Sequence, residues 1–142
     1  MSRKKIVFII VEGPSDEDAL GVLLNRIYDN KAVYVHVMHC DITTERDVNP
    51  GNIVSKIGSL VKNYANQKFK STDFSQIIHI TDTDGAFIPN DAVVEDDTAA
   101  KPIYSETEIR TQQKAGIEDR NRRKRENLNK LSSTSKVWSI PY

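Results

Sequence analysis

Cysteine is almost missing from this chain: Cys40 is the only one among 142 residues. That excludes an internal disulfide framework and a cysteine-built zinc site, and it fits a reducing cytosol. Net charge is missing too, because 20 Lys and Arg offset 20 Asp and Glu. Attraction for nucleic acid would therefore have to come from local patches. No apolar run approaches the length of a membrane span. The N-terminal run Ile6–Val11 follows a basic start as a signal peptide would, but it is six residues long and ends in Glu12, not in a small-residue cleavage site. Internal repeats and low-complexity segments are lacking. The length suits one domain with a real core and not two, and the expected setting is soluble and cytoplasmic.

What is present centres on Val7–Leu20, VFIIVEGPSDEDAL. The run Ile6–Val11 is rich in β-branched residues and does not alternate, the pattern of a strand buried on both faces of a parallel sheet. After Gly13-Pro14, Leu20, Leu23, Leu24 and Ile27 fall at helical spacing. Ser15 with Asp18 three residues on predicts the helix N-cap. Glu12 and Asp16 sit where strand gives way to helix. A carboxylate at the carboxyl end of a central parallel strand points into the crevice where open α/β sheets bind ligands.

Asp29-Asn30 predicts a turn, and Ala32–Cys40 a second strand with Val33, Val35 and Val37 on one face and Tyr34, His36 and Met38 on the other. Asp41–Asp47 reads as a loop. Asn49-Pro50 predicts an N-cap with proline in the first turn of a second helix, whose buried face is Ile53, Ile57, Leu60, Val61 and Tyr64. Phe74–Thr81 is a third strand running into Asp82-Thr83-Asp84-Gly85. The β-α-β-α-β order implies a parallel sheet with right-handed crossovers, so all three strands end on one side. Glu12 then shares a rim with Asp82 and Asp84.

Beyond Gly85 the pattern changes. Ala86–Pro102 reads as an acidic, irregular, mobile excursion. Ser105-x-x-Glu108 fits a capping box opening a polar helical segment to Leu131, with Gly116 as its weak point. Arg120, Arg122, Arg123, Lys124 and Arg125 form a basic knot in it. Such a run is ordinarily a solvated helix face; the functional alternative is a grip on a phosphate backbone. Lys136–Tyr142 reads as a last strand. Because it ends on Trp138, Ile140 and Tyr142, the expectation is an N-terminal part of a longer protein. His36, His39 and His79 fall in or beside strands, where packing is their expected fate, and Cys40 is expected to be a small buried hydrophobe.

Carboxylates gathered on one rim repel each other unless a cation sits among them. Hard oxygen ligands without Cys or His select Mg²⁺ or Mn²⁺. Such an ion binds phosphate oxygens and acidifies a water, which points to phosphodiester or phosphoryl-transfer chemistry. The dipole of the following helix supplies a purely structural reading of Asp16. Asp-Thr-Asp-Gly alone is an ordinary turn.

Together, Val11-Glu12-Gly13-x-x-Asp16-x-x-Ala19-Leu20 and the strand ending in Asp82-x-Asp84-Gly85 resemble the Toprim domain of topoisomerases, bacterial primases, ribosomal-RNA maturases and OLD-family nucleases. The Glu-Gly-Pro-Ser-Asp variant is most similar to the OLD-like group and to small defence-associated relatives. The resemblance covers residues 4–85 and implies a three-layer, Rossmann-like α/β fold with a mainly parallel sheet of about four strands. On it, the chain is a single domain: core 4–85 plus 132–142, with a polar insertion over 86–131. The resemblance implies a catalytic role for Glu12, Mg²⁺ or Mn²⁺ held by Asp82 and Asp84, and Asp16 as a further metal ligand. It also implies a nucleic acid, DNA or RNA, as substrate and an ATPase as partner protein.

Two departures stand out. Ala86 occupies the place of the third acid in the longer Asp-x-Asp-x-Asp form, and the downstream Ser, Glu or Lys that complete the nuclease sites have no clear counterpart. A non-catalytic metal- or partner-binding module of a larger defence or repair assembly is therefore the second reading. A receiver-like phospho-acceptor ranks behind both, because it expects an Asp pair after the first strand where this chain has Glu12-Gly13.

Overall fold

The structure, a computed structural model, describes residues 3–28 and 33–142. The turn expected at Asp29-Asn30 and the strand start expected at Ala32 lie outside them. Strand β1 (Lys5–Val11) lies at the centre of a three-stranded parallel sheet, between β2 (Val33–His39) and β3 (Phe74–Ile80). Helices α1 (Pro14–Ile27) and α2 (Ile53–Ala65) connect them. Moving out from β1 to β2 and then back across to β3 reverses direction, so right-handed crossovers put the two helices on opposite faces.

Burial follows from this. Ile6, Phe8 and Ile10 point into a core with Ile53, Ile57 and Val61 of α2. Val7, Ile9 and Val11 point the other way, against Val35 and the half-buried Leu20 and Leu24 of α1. The unbroken apolar run of β1 is thus explained by a strand with a core on each side. Cover on the α1 side is thin: the helix buries no residue fully, and Leu23 and Ile27 are 51% and 65% exposed. Of the four residues expected on its inner face, Leu20 and Leu24 turn inward, whereas Leu23 and Ile27 face outward.

Both N-cap expectations move. Gly13 caps α1, and Pro14 takes the first helical position, where its fixed φ and missing N–H are harmless. Ser15 therefore lies inside the first turn. At α2, Asn49 opens a turn: its Oδ1 accepts the Gly51 N–H at 2.8 Å, and its carbonyl accepts from Asn52 and Ile53. Asn52 becomes the cap.

The segment after Gly85 is built, not irregular. A 3₁₀ turn at Asn90–Ala92 leads into β4 (Val93–Glu95), which pairs in parallel with β6 (Ile109–Thr111), while β5 (Ile103–Tyr104) pairs antiparallel with β6. Ser105 does not cap a helix. Its Oγ accepts the Glu108 N–H at 3.1 Å and closes the β5–β6 turn. A capping box and a serine turn share that same local bond, so the pattern cannot distinguish them.

Helix α3 starts at Lys114 and runs to Ser132, with Gly116 accommodated in its first turn. The C-terminal stretch is a hairpin, β7 (Lys136–Val137) against β8 (Ile140–Pro141), not a fourth strand of the parallel sheet. Trp138 and Ser139, at φ 50° and 63°, form its two-residue loop, the left-handed pair that matches strand twist. Val137 and Ile140 seal the α2-side core.

Candidate functional site

In the sheet, Val11 is level with His39 of β2 and Ile80 of β3, so the three strands end together. Because the chain leaves β1 toward opposite faces on its two sides, the crevice beyond Val11 is the switch point of the sheet. Glu12 is the first residue past that edge, and the turn after β3 brings Asp84 to it.

The two carboxylates meet on a lysine. Lys124 Nζ donates to Asp84 Oδ2 at 2.8 Å and to Glu12 Oε2 at 3.2 Å. Its side chain is 1% exposed, against 11% for Glu12 and 37% for Asp84. Arg120 Nη2 donates to the same Asp84 oxygen at 3.1 Å, and the buried Thr43 hydroxyl donates to Glu12 Oε1 at 3.0 Å. Partial burial by itself would raise the Asp84 carboxyl. The Lys124 ammonium and then the Arg120 guanidinium outweigh it and hold the group below the usual carboxylate range.

Local backbone makes this possible. Asp84 adopts φ 44°, left-handed, a region in which Asp is tolerated better than most residues. Gly85 is required by proximity: a Cβ there would lie 2.8 Å from Ile109 Cδ1 and 3.0 Å from Asn121 Nδ2. Helix α3 then ties down both neighbouring loops. Asn127 Nδ2 donates to the Thr43 carbonyl, Arg123 to that of Thr44 and Arg125 to that of Ala86.

The expected site residues therefore divide. Glu12 and Asp84 are brought together. Asp82 is exposed on the same rim, outside the hydrogen-bonded cluster. Asp16 is exposed in the first turn of α1, its carboxylate curled over Gly13, whose Cβ would lie 3.2 Å from it. Of the basic knot, Arg122 pairs with Asp119 and Glu126 on the outer face of α3, whereas Arg120, Arg123 and Arg125 are half-buried.

Lys124, one of the five cations of the basic knot, is buried and is the centre of the site. The signal that could have found it is the stripe Asn121, Lys124, Asn127 and Leu131, the buried face of α3. A helix whose inward stripe is mostly amide and ammonium, with only Leu131 reaching the core, is built chiefly to meet polar groups.

As donors for a divalent ion, carboxylate oxygens of Glu12, Asp82 and Asp84 are the right type for Mg²⁺ or Mn²⁺. Mg²⁺ is commonly held by one or two carboxylates completed by waters and substrate phosphates. Among the described residues no three of His, Cys, Asp or Glu converge as a ligand set. Among the described residues no helix is long and apolar enough to cross a membrane. No family model, curated protein or solved structure matches the chain.

Proposed function

We propose that this chain is a Toprim-like nuclease, similar to the OLD group, that cleaves nucleic-acid phosphodiester bonds with Mg²⁺ or Mn²⁺. The observation that carries the reading is the meeting of Glu12 and Asp84 on Lys124 at the switch point of a parallel sheet. Glu12, oriented by Thr43, accepts a proton from the attacking water or returns one to the leaving oxygen. Arg120, partly exposed, offers N–H groups to the phosphoryl oxygens as negative charge builds up there, and the buried Lys124 holds Glu12 and Asp84 in place behind it. Asp82 and Asp84, with Asp16 on the same rim, would hold the ion, which supplies Lewis acidity and a more acidic water when bound. With this reading we also propose a reducing cytosol as the setting and an ATPase as partner protein.

The test is cleavage of supercoiled plasmid and of single-stranded DNA and RNA with Mg²⁺ or Mn²⁺, by wild type, Glu12→Ala and Asp82→Ala. Activity in wild type alone supports the assignment, and equal activity in all three overturns it.

One observation favours a second reading. Lys124 already neutralises the carboxylate pair, as in a non-catalytic module that binds a metal weakly and a partner protein through its surface. Metal titration separates the two, because such a module shows occupancy without turnover.

A further inference from the structure

Next to the carboxylate cluster, the insertion and α3 enclose a cavity of about 530 Å³. It is lined by the stretch Ala99–Pro102, by Thr111–Gln113 at the end of β6, by the N-terminal half of α3 and by the loop after β2. Arg46, Lys101, Arg120 and Arg123 line it, and no carboxylate does.

These cations are not all neutralised elsewhere. Arg123 is held by Asp119 at 2.9 Å, and Arg120 by Asp84 through Nη2. Arg46 and Lys101 are exposed and have no ion-pair partner among the described residues. Arg120 Nη1 is buried and makes no hydrogen bond among the described residues. A guanidinium fixed through one nitrogen, with a buried neighbour unsatisfied, gains a partner if a small shift lets an anion reach it.

We propose that this pocket seats a phosphomonoester, either the terminal phosphate of a nucleic-acid strand or that of a mononucleotide, beside the Glu12–Lys124–Asp84 cluster. A terminal phosphate carries close to two negative charges at neutral pH, against one for an internal diester, so a pocket with two cations free of carboxylate partners among the described residues, Arg46 and Lys101, discriminates between them. The volume lies in the range of small-ligand sites, and Ala99, Ala100 and Pro102 in its lining offer apolar surface to a sugar or base. Arg120 belongs both to this pocket and to the carboxylate cluster, so an end held here presents the adjoining linkage to Glu12. The inference rests on the nucleic-acid reading above and gives it a substrate class: strand ends.

Binding is measured on the full chain in EDTA, so that turnover plays no part. Fluorescence anisotropy compares one labelled single-stranded oligonucleotide carrying a 5′-phosphate, a 3′-phosphate or hydroxyls at both ends, with a nucleoside monophosphate as competitor. The expected result is at least a ten-fold preference for one phosphorylated end, abolished in the Arg46→Ala/Lys101→Ala double variant while its thermal melt stays that of wild type. Competition by the mononucleotide at matching affinity assigns the pocket to free nucleotides, and its failure to compete assigns it to strand ends; either result supports the phosphomonoester site. Equal affinity for all three ends, or a preference that survives the double variant, overturns it. Loss of the cleavage reading would appear separately, as an end preference without hydrolysis when Mg²⁺ is restored.

Discussion

Lys124 and Asp84, 40 positions apart in sequence, are joined by a 2.8 Å ammonium–carboxylate bond in which the lysine is wholly buried. The same ammonium reaches Glu12, so one cation offsets two anions from opposite ends of the sheet's connectivity.

Removing that cation should be costly. Lys124→Ala leaves Glu12 without a cation and Asp84 with Arg120 alone; because Asp84 is partly exposed, the expected loss is about 2–3 kcal/mol, below that of a fully buried pair. Millimolar Mg²⁺ should then restore part of the stability, raising the variant's Tm more than that of wild type. Thermal melts with and without the ion check this. Identical Mg²⁺ responses would mean that the two carboxylates do not act as a pair.

Thr43→Val keeps the shape of a fully buried side chain but removes the hydrogen bond to Glu12 Oε1. A bond to a charged group is worth about 1.5–3 kcal/mol, and denaturant titration should register that loss. Thr43→Ser, which keeps the hydroxyl, should lose much less.

Gly85→Ala tests the close approach of the acidic turn to α3. The new methyl would fall 2.8 Å from Ile109 Cδ1 and 3.0 Å from the Asn121 amide. Overpacking of this kind costs about 1–3 kcal/mol. The turn has to shift to relieve it, so cleavage should fall further than stability alone accounts for; unchanged activity at unchanged Tm would show that the turn has room.

His79 sets an acid limit. Burial lowers its imidazole from an ordinary 6.5 to about 4, and Nδ1 lies 2.8 Å from the Tyr142 hydroxyl. Between those two values the unfolded chain holds a proton that the folded chain refuses, so stability rises with pH and is lost on acidification. The contribution is about 3 kcal/mol between roughly pH 7 and pH 4. Unfolding titrations at both ends of that range should show a correspondingly shallower pH dependence for His79→Phe.

Much of the architecture was legible because it rests on burial. Ile6–Val11 announces a strand with two covered faces, and α2 carries its core stripe in Ile53, Ile57 and Val61. The first carboxylate and one of the Asp82/Asp84 pair were legible as well, through their positions at strand ends. Other features were hidden for identifiable reasons. Ser105 makes the bond of a helix cap within a hairpin turn. The insertion's sheet uses strands of two and three residues, too short for any period to emerge. Lys124 was obscured by its neighbours: among Arg120, Arg122, Arg123 and Arg125 it resembles one more surface cation, and only the α3 stripe formed with Asn121 and Asn127 sets it apart.

The distance along the chain between Glu12 and its lysine, 112 positions, has a kinetic consequence. As the polypeptide leaves the ribosome, β1, α1, β2, α2 and β3 emerge well before Lys124 does, and they can assemble first. Until then the carboxyl ends of those strands carry mutual repulsion with nothing to relieve it. Arrival of α3 is therefore a late locking step, driven by attraction between charges as well as by burial of Leu131, and its rate should be responsive to ionic strength.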